Sequence, residues 1–486
     1  MIILLFWRFK MYDKLIFEIS KQGRIAYSLT KSNVKNYELP FELLKNESLN
    51  LPEVSELDVI RHYTNISQKN YGVETGFYPL GSCTMKYNPK INEEIARNYN
   101  FTNLHPLQPE SSIQGALKVY YDLSNYLTEL TGLDKFSFSP FAGAHGELTG
   151  LMVMKEYHLQ RKDYKRTKII IPDSAHGTNP ASCAVVGFSV VPVKSNANGT
   201  VDIEELKLLL NDEIAGIMLT NPNTLGLYEN DILEISKLLH ENGSLLYYDG
   251  ANLNALLGIA RPADMGFDIV HLNLHKTFST PHGGGGPGSG PVGVCKHLIP
   301  YLPNPQVIKD DNGYHLFNSE KSIGKVSGFY GNFLVYLKAY AYILTVGKDH
   351  MDKIAKYSVL NANYIKESLK DYYKLPINRT CMHEVVFDGL ISGKATTLDV
   401  AKRLLDYGYH SPTIYFPLLF HQAMMIEPVE NETKETLDGF IDVMIKIAKE
   451  AEQNPELLFS APHNTPVKRL DEVKAVRELK VKYGDL

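Results

Sequence analysis

The sequence predicts an α/β protein, with a large domain built on a mostly parallel β-sheet and a smaller α/β domain after it in the chain. Three features predict this. Between about Ser111 and Lys296, short apolar runs alternate with segments of helical spacing. The apolar runs read as buried strands, as expected of a parallel sheet covered by helices. From about Gly347 the pattern changes to a long polar helix followed by shorter elements.

In chain order, roughly the first 110 residues are rich in Pro, Tyr and Asn and weakly periodic, which suggests an arm that wraps a partner. Strands are expected at 168–172, 214–220, 245–249 and 269–274, and helices at 148–157, 202–210 and 231–240. The smaller domain should hold a helix over 351–373, two strands, and helices over 398–407 and 434–451. The expected division is an arm (1–110), a large domain (111–345), a small domain (346–455) and a tail (456–486).

Composition narrows the function. At 486 residues the chain can bury a large core in two or three domains. Hydrophobic residues at 44% and charged residues at 22% suit a globular enzyme, and a net charge of −5 gives no basic field for nucleic acid. Cys83, Cys183, Cys295 and Cys381 form no Cys-x-x-Cys pair, which points to reduced thiols in a cytoplasm and away from disulfides or zinc. The apolar start, 1–10, is too short to span a bilayer and lacks the features of a signal peptide; translation is expected to begin at Met11.

Two strand ends carry the candidate chemistry. One apolar run ends in His275-Lys276-Thr277, and another, 27 residues upstream, ends in Asp249-Gly250-Ala251. Ligands in parallel sheets bind beyond the carboxyl ends of the strands. An acid and a lysine placed there suit pyridoxal phosphate: the carboxylate keeps the ring nitrogen protonated, and a desolvated lysine bonds to the aldehyde. Asp249 and Lys276 are the candidates, although Asp-Gly is also a common turn and most lysines are solvated.

Around them lie supporting segments. Small residues at 142–146, before a helical run, let backbone N–H groups approach a phosphate; Glu147 in this stretch is equally explained by helix capping. His176, after the strand 168–172, can lie flat on a cofactor ring, with Ser174 and Thr178 as hydroxyl donors. Thr224 and Ala251 sit at strand ends and are expected to touch the cofactor. His271 and His275 have an i, i+4 spacing, but an apolar strand with no carboxylate nearby disfavours a metal. The glycines of 283–290 suit a mobile gate rather than a dinucleotide fingerprint. Cys83 reads as a small packed thiol or a redox-sensitive one.

Long motifs then carry a resemblance. Tyr78-Pro79-Leu80-Gly81-Ser82-Cys83-Thr84-Met85-Lys86, His105-Pro106-Leu107, His176-Gly177-Thr178-Asn179-Pro180, Asn221-Pro222-Asn223-Thr224 and His275-Lys276-Thr277-Phe278 resemble the glycine cleavage system P-protein, in particular the second subunit of its split, two-gene form. The likeness runs from about Lys14 to the end of the chain. It implies a fold-type-I pyridoxal-phosphate enzyme with the cofactor covalent on Lys276, Asp249 against the pyridine nitrogen and His176 stacked on the ring. Ala144, His145 and His275 are implied phosphate contacts. It further implies glycine decarboxylation with aminomethyl transfer to the lipoyl arm of H-protein, in an α2β2 heterotetramer with a first subunit that lacks the lysine. Arginines expected around Lys325 and Ser327 are missing, which bears on a local anion or interface contact. The competing readings are another fold-type-I enzyme, such as an amino-acid decarboxylase or desulfurase, and a non-catalytic scaffold subunit.

Overall fold

The computed structural model describes residues 14–485 apart from 28, 29, 46, 48 and 284–287. The expected start at Met11 and half of the glycine-rich gate, 284–287, therefore lie outside the described residues. Phe77–Lys468 form one compact unit, and Met1–Gly76 with Arg469–Leu486 form another. The division thus falls at Gly76, and residues 77–110 of the expected arm belong to the larger unit. In the smaller unit the Ser55 hydroxyl accepts from the Asp58 amide and caps the helix Glu56–Ser67.

The larger unit is built on a seven-stranded sheet: β1 (Lys135–Ser137), β2 (Lys168–Pro172), β3 (Ser189–Val193), β4 (Ile214–Leu219), β5 (Leu245–Gly250), β6 (Ile269–Leu272) and β7 (Val292–Val294). The spatial order is β1-β7-β6-β5-β4-β2-β3, parallel from β3 to β6, with β7 antiparallel to both β6 and β1. Consecutive side chains of a strand face opposite sides, so each strand feeds two cores. Ile170, Ile217, Leu246 and Tyr248 enter one; Ile169, Ile171, Met218 and Tyr247 enter the other. Each fully buried aliphatic side chain contributes about 1.5–3 kcal/mol, and Ile217→Ala would cost about 2–5 kcal/mol.

A hairpin of β8 (Gln306–Asp310) and β9 (Gly313–Phe317) follows. The C-terminal part carries a three-stranded antiparallel sheet, β10 (Val385–Asp388), β11 (Thr413–Ile414) and β12 (Ala423–Ile426), in the order β10-β12-β11. Two strands were expected there; the third is the two-residue β11, too short to show an alternating pattern. Helices Met351–Leu369 and Lys434–Gln453 cover this sheet. The second is capped by the Thr433 hydroxyl and buries Leu437, Phe440, Ile441, Met444 and Ile447 at helical spacing.

β6 ends at Leu272, two residues short of the expected strand. The Lys276 amide donates to the Asn273 carbonyl at 3.0 Å, so the chain turns there. That turn brings the lysine over the end of the sheet.

Candidate active site

The parallel register of β5 and β6 pairs Asp249 with His271. Paired residues of adjacent strands share a face, and His271 Nε2 lies 3.2 Å from Asp249 Oδ1. The Tyr247 hydroxyl lies 3.0 Å from His271 Nδ1. Asn179 Nδ2 donates to Asp249 Oδ2 at 2.9 Å and the Ala251 amide to Oδ1 at 3.1 Å. Burial pushes the Asp249 carboxyl up, but His271, Asn179, the Ala251 amide and Lys276 outweigh it and hold it below the ordinary value. The sequence-based premise that no carboxylate lies near His271 is therefore wrong. The two histidines also diverge: His271 is fully buried behind Asp249, whereas His275 lines the cavity.

Lys276 shares a cavity of about 430 Å³ with Asp249, a size that falls within the range of small-molecule sites. Its Nζ donates to the Ser82 carbonyl at 2.7 Å. Ser82 and Thr84 both have positive φ, 64° and 55°, values that non-glycine residues adopt at a cost. The Ser82 amide donates to Glu384 Oε2 at 2.9 Å and the Thr84 amide to Glu427 Oε2 at 2.9 Å. These two glutamates and His383, which sequence reasoning missed, come from the C-terminal sheet. Burial lowers the pKa of His383 to about 3 and raises those of both carboxyls.

The helix Gly143–Gln160 starts where the small-residue stretch was expected to hold phosphate. Its N-cap Ala142 offers no side-chain cap, and Ala142, Gly143 and Ala144 line the cavity. A free helix N-terminus of this kind suits a phosphate. A Cβ on Gly143 would run into the Asn273 side chain, so glycine is required for this approach. Glu147 is not a cap. Its carboxylate accepts from the Thr178 hydroxyl at 2.8 Å, Asn179 Nδ2 at 3.2 Å and the Ser182 hydroxyl at 3.1 Å, tying the helix Thr178–Val186 to its neighbour.

The remaining expected residues divide. His176 lines the cavity, and its Nδ1 accepts from the Thr178 amide at 3.2 Å. His275 lines it too, its pKa lowered to about 3 by burial and by His282 and Lys276. Ala251 and Thr224 line it, but the Thr224 hydroxyl donates to the Ser174 carbonyl and the Ala251 amide is used by Asp249. His145 does not join them: its Nδ1 accepts from the Phe141 amide at 3.1 Å, away from the cavity lining.

The cavity can be tested against the expected cofactor. Thr220 Oγ1, Asn273 Oδ1, His275 Nδ1 and His383 Nδ1 are buried without a hydrogen-bond partner among the described residues, and all four residues line or adjoin the cavity. Buried polar atoms are seldom left unsatisfied, so these suit contacts to a polar ligand. With an uncapped helix N-terminus for phosphate, an ionised acid and a lysine at neighbouring strand ends, the donor set fits pyridoxal phosphate.

This sheet order, with an acid and a lysine at the ends of β5 and β6, defines a fold-type-I pyridoxal-phosphate enzyme fold. A crystal structure of glycine decarboxylase (P-protein) of the glycine cleavage system has this fold, with a TM-score of 0.71 and 20% identity over 84% of this chain and 93% of that one. So has a cysteine desulfurase from Thermococcus onnurineus, with a TM-score of 0.60 and 15% identity over 78% and 97%. The family model "Glycine cleavage system P-protein" matches residues 28–316, and "Glycine dehydrogenase, C-terminal domain" matches 354–467. The chain belongs to the glycine cleavage system P-protein family. It is similar to the probable glycine dehydrogenase (decarboxylating) subunit 2 of Caldanaerobacter subterraneus subsp. tengcongensis, at 63% identity over 98% of this chain and 99% of the relative. A Bacillus cereus protein of the same name is 58% identical over 97% of each. No helix of the described residues is long and apolar enough to cross a membrane.

Proposed function

We propose that this chain is the lysine-bearing subunit of a two-subunit P-protein that decarboxylates glycine and passes the aminomethyl group to the lipoyl arm of H-protein. The observation that carries the reading is the placement of Asp249 and Lys276 in one cavity beside an uncapped helix N-terminus. Lys276 would be the covalent anchor for the cofactor aldehyde, and the free N–H groups after Ala142 would hold its phosphate with His275 nearby. Asp249 would hold the protonated ring nitrogen, and His271, with Nε2 3.2 Å from Asp249 Oδ1, helps keep that carboxylate ionised. His176, which lines the cavity, would cover the ring. When bound, pyridoxal phosphate supplies an electron sink for the bond that leaves glycine as CO2.

The partner is read as a homologous first subunit in an α2β2 heterotetramer. The domain reading follows the two sheets: the large domain carries the cofactor contacts, and the C-terminal domain supplies the glutamates. Reduction of the loaded, assembled protein with borohydride, followed by peptide mapping, tests the cofactor assignment. The expected result is an adduct on Lys276 and glycine-dependent CO2 release that requires lipoylated H-protein. An adduct elsewhere, or no adduct in the assembled protein, overturns it.

A further inference from the structure

The antiparallel register that pairs Val385 with Ile426 carries Glu384 and Glu427 side by side just past the ends of β10 and β12. Oxygens of the two carboxyls and a nitrogen of His383 lie within 4.8 Å of one another. Glu384 is 3% exposed and Glu427 0%. Two buried carboxylates this close cannot both stay ionised at low cost, so the pair shares a proton.

The hydrogen bonds say where that proton resides. Glu427 is surrounded by donors: the Thr84 amide at 2.9 Å, the Thr84 hydroxyl at 2.7 Å and Asn252 Nδ2 at 2.7 Å. Three donors favour its anion. Glu384 accepts only from the Ser82 amide among the described residues, at Oε2, while Oε1 stands 3.7 Å from His383 Nε2, beyond hydrogen-bond reach. Glu384 therefore carries the proton, and Glu384, not Glu427, lines the cavity with Lys276. The charged form of Lys276 acts electrostatically on both carboxyls. Ser82 joins the two sides, accepting from Lys276 Nζ through its carbonyl and donating to Glu384 through its amide.

We propose that Glu384, paired with Glu427, is the proton-transfer partner of Lys276. The inference rests on the reading of Lys276 as the cofactor anchor. The amine must be neutral to bond to an aldehyde and regains a proton when it leaves. On the way in, Glu384 passes its own proton to the ionised Glu427 and takes one from the Lys276 ammonium, so that an N–H bond of the lysine breaks and an O–H bond forms on Glu427 while Glu384 ends protonated; the reverse transfer returns the proton. No electron is gained or lost. One ammonium, one carboxylate and one carboxylic acid become one amine and two carboxylic acids, so the net charge of the buried group stays at zero. Release of the proton to solvent would instead leave an uncompensated buried anion. The other titratable groups facing this cluster are His383, His275, His282, Cys83 and Asp249. Burial holds the three histidines and the thiol in their neutral forms, and His271 and Asn179 hold Asp249 ionised, which leaves the glutamate pair, joined to Lys276 through Ser82, as the proton store.

The test is the rate at which the apo-form of the assembled protein attaches pyridoxal phosphate to Lys276, followed by absorbance across pH. A positioned acid–base group is worth about 100-fold or more. E384Q should attach the cofactor about 100-fold more slowly at neutral pH and recover as pH rises, E384D should retain part of the rate, and sodium formate should restore E384A. Independently, the cofactor-free protein is labelled with acetic anhydride, and the pH dependence of Lys276 acetylation should change in E384Q. Wild-type rates in E384Q at every pH, with no rescue of E384A by formate, overturn the proposal. A wild-type protein that forms no adduct on Lys276 fails a different claim, the cofactor assignment itself.

Discussion

His271 Nε2 stands 3.2 Å from Asp249 Oδ1, with the Tyr247 hydroxyl 3.0 Å from the other ring nitrogen. The acid at the end of β5 is thus held by a chain of buried side chains on two adjacent strands. Asp249→Asn removes the charge while nearly keeping the shape. It should lower kcat for glycine decarboxylation about 100-fold, the scale of losing one preorganised electrostatic contact. A steady-state assay with the partner subunit and H-protein checks this.

The pH response follows from the direction of the Asp249 shift. Its pKa is lowered on folding, so its contribution to stability is complete above the ordinary carboxylate pKa of about 3.9 and is lost as pH falls through the lowered value. His271→Phe removes the largest influence opposing burial. The acid midpoint for loss of cofactor absorbance should move upward in that variant; an unchanged midpoint would show that Asn179 and Ala251 suffice.

Glu147 satisfies three donors on the helix Thr178–Val186. Glu147→Ala removes their shared acceptor and strands the buried Ser182 hydroxyl and one N–H of Asn179, which should cost about 3 kcal/mol in denaturant unfolding. Because Thr178 also holds His176, cofactor affinity should fall as well. Loss of stability with unchanged affinity would confine Glu147 to packing.

A Cβ on Gly150 would press on the Tyr247 ring, with the hydroxyl oxygen 2.7 Å away. Gly150→Ala should therefore cost about 1–3 kcal/mol by overpacking. It should also weaken the support of Asp249 from a position that touches no ligand. Thermal unfolding and cofactor titration of the same variant report the two effects.

All four thiols are held above their ordinary pKa, Cys83 through burial despite the opposing charge of Lys276. Reactivity needs the thiolate. Iodoacetamide at pH 8 should label the native protein far more slowly than a free cysteine, and oxidative loss of activity should persist in Cys83→Ser. Rapid labelling at Cys83 would return it to the redox role.

The sequence made Asp249 and Lys276 legible because each ends an apolar run, and the strand-end rule holds for any parallel sheet. The hairpin at 306–317 turns at Asp311-Asn312, with Gly313 already paired to Asp310, so the turn residues are of a type that favours tight turns. Glu384, Glu427 and His271 were not legible. Their partners are set by register between strands, and no local pattern states which residue will stand opposite which. The orientation of His145 was not legible for a related reason: a helix places adjacent residues about 100° apart, so Ala144 lines the cavity while His145 turns to Phe141.

The alignment of Val385 with Ile426 has an evolutionary consequence. Side chains alternate along a strand, so losing or gaining one residue within β10 would exchange its inward and outward sets. Compensating apolar substitutions can rebuild such a core, and the protein would still fold. Glu384 would then face away from the lysine. Descent within this lineage should therefore tolerate length changes in the loops flanking β10 and reject them inside it, even where packing permits.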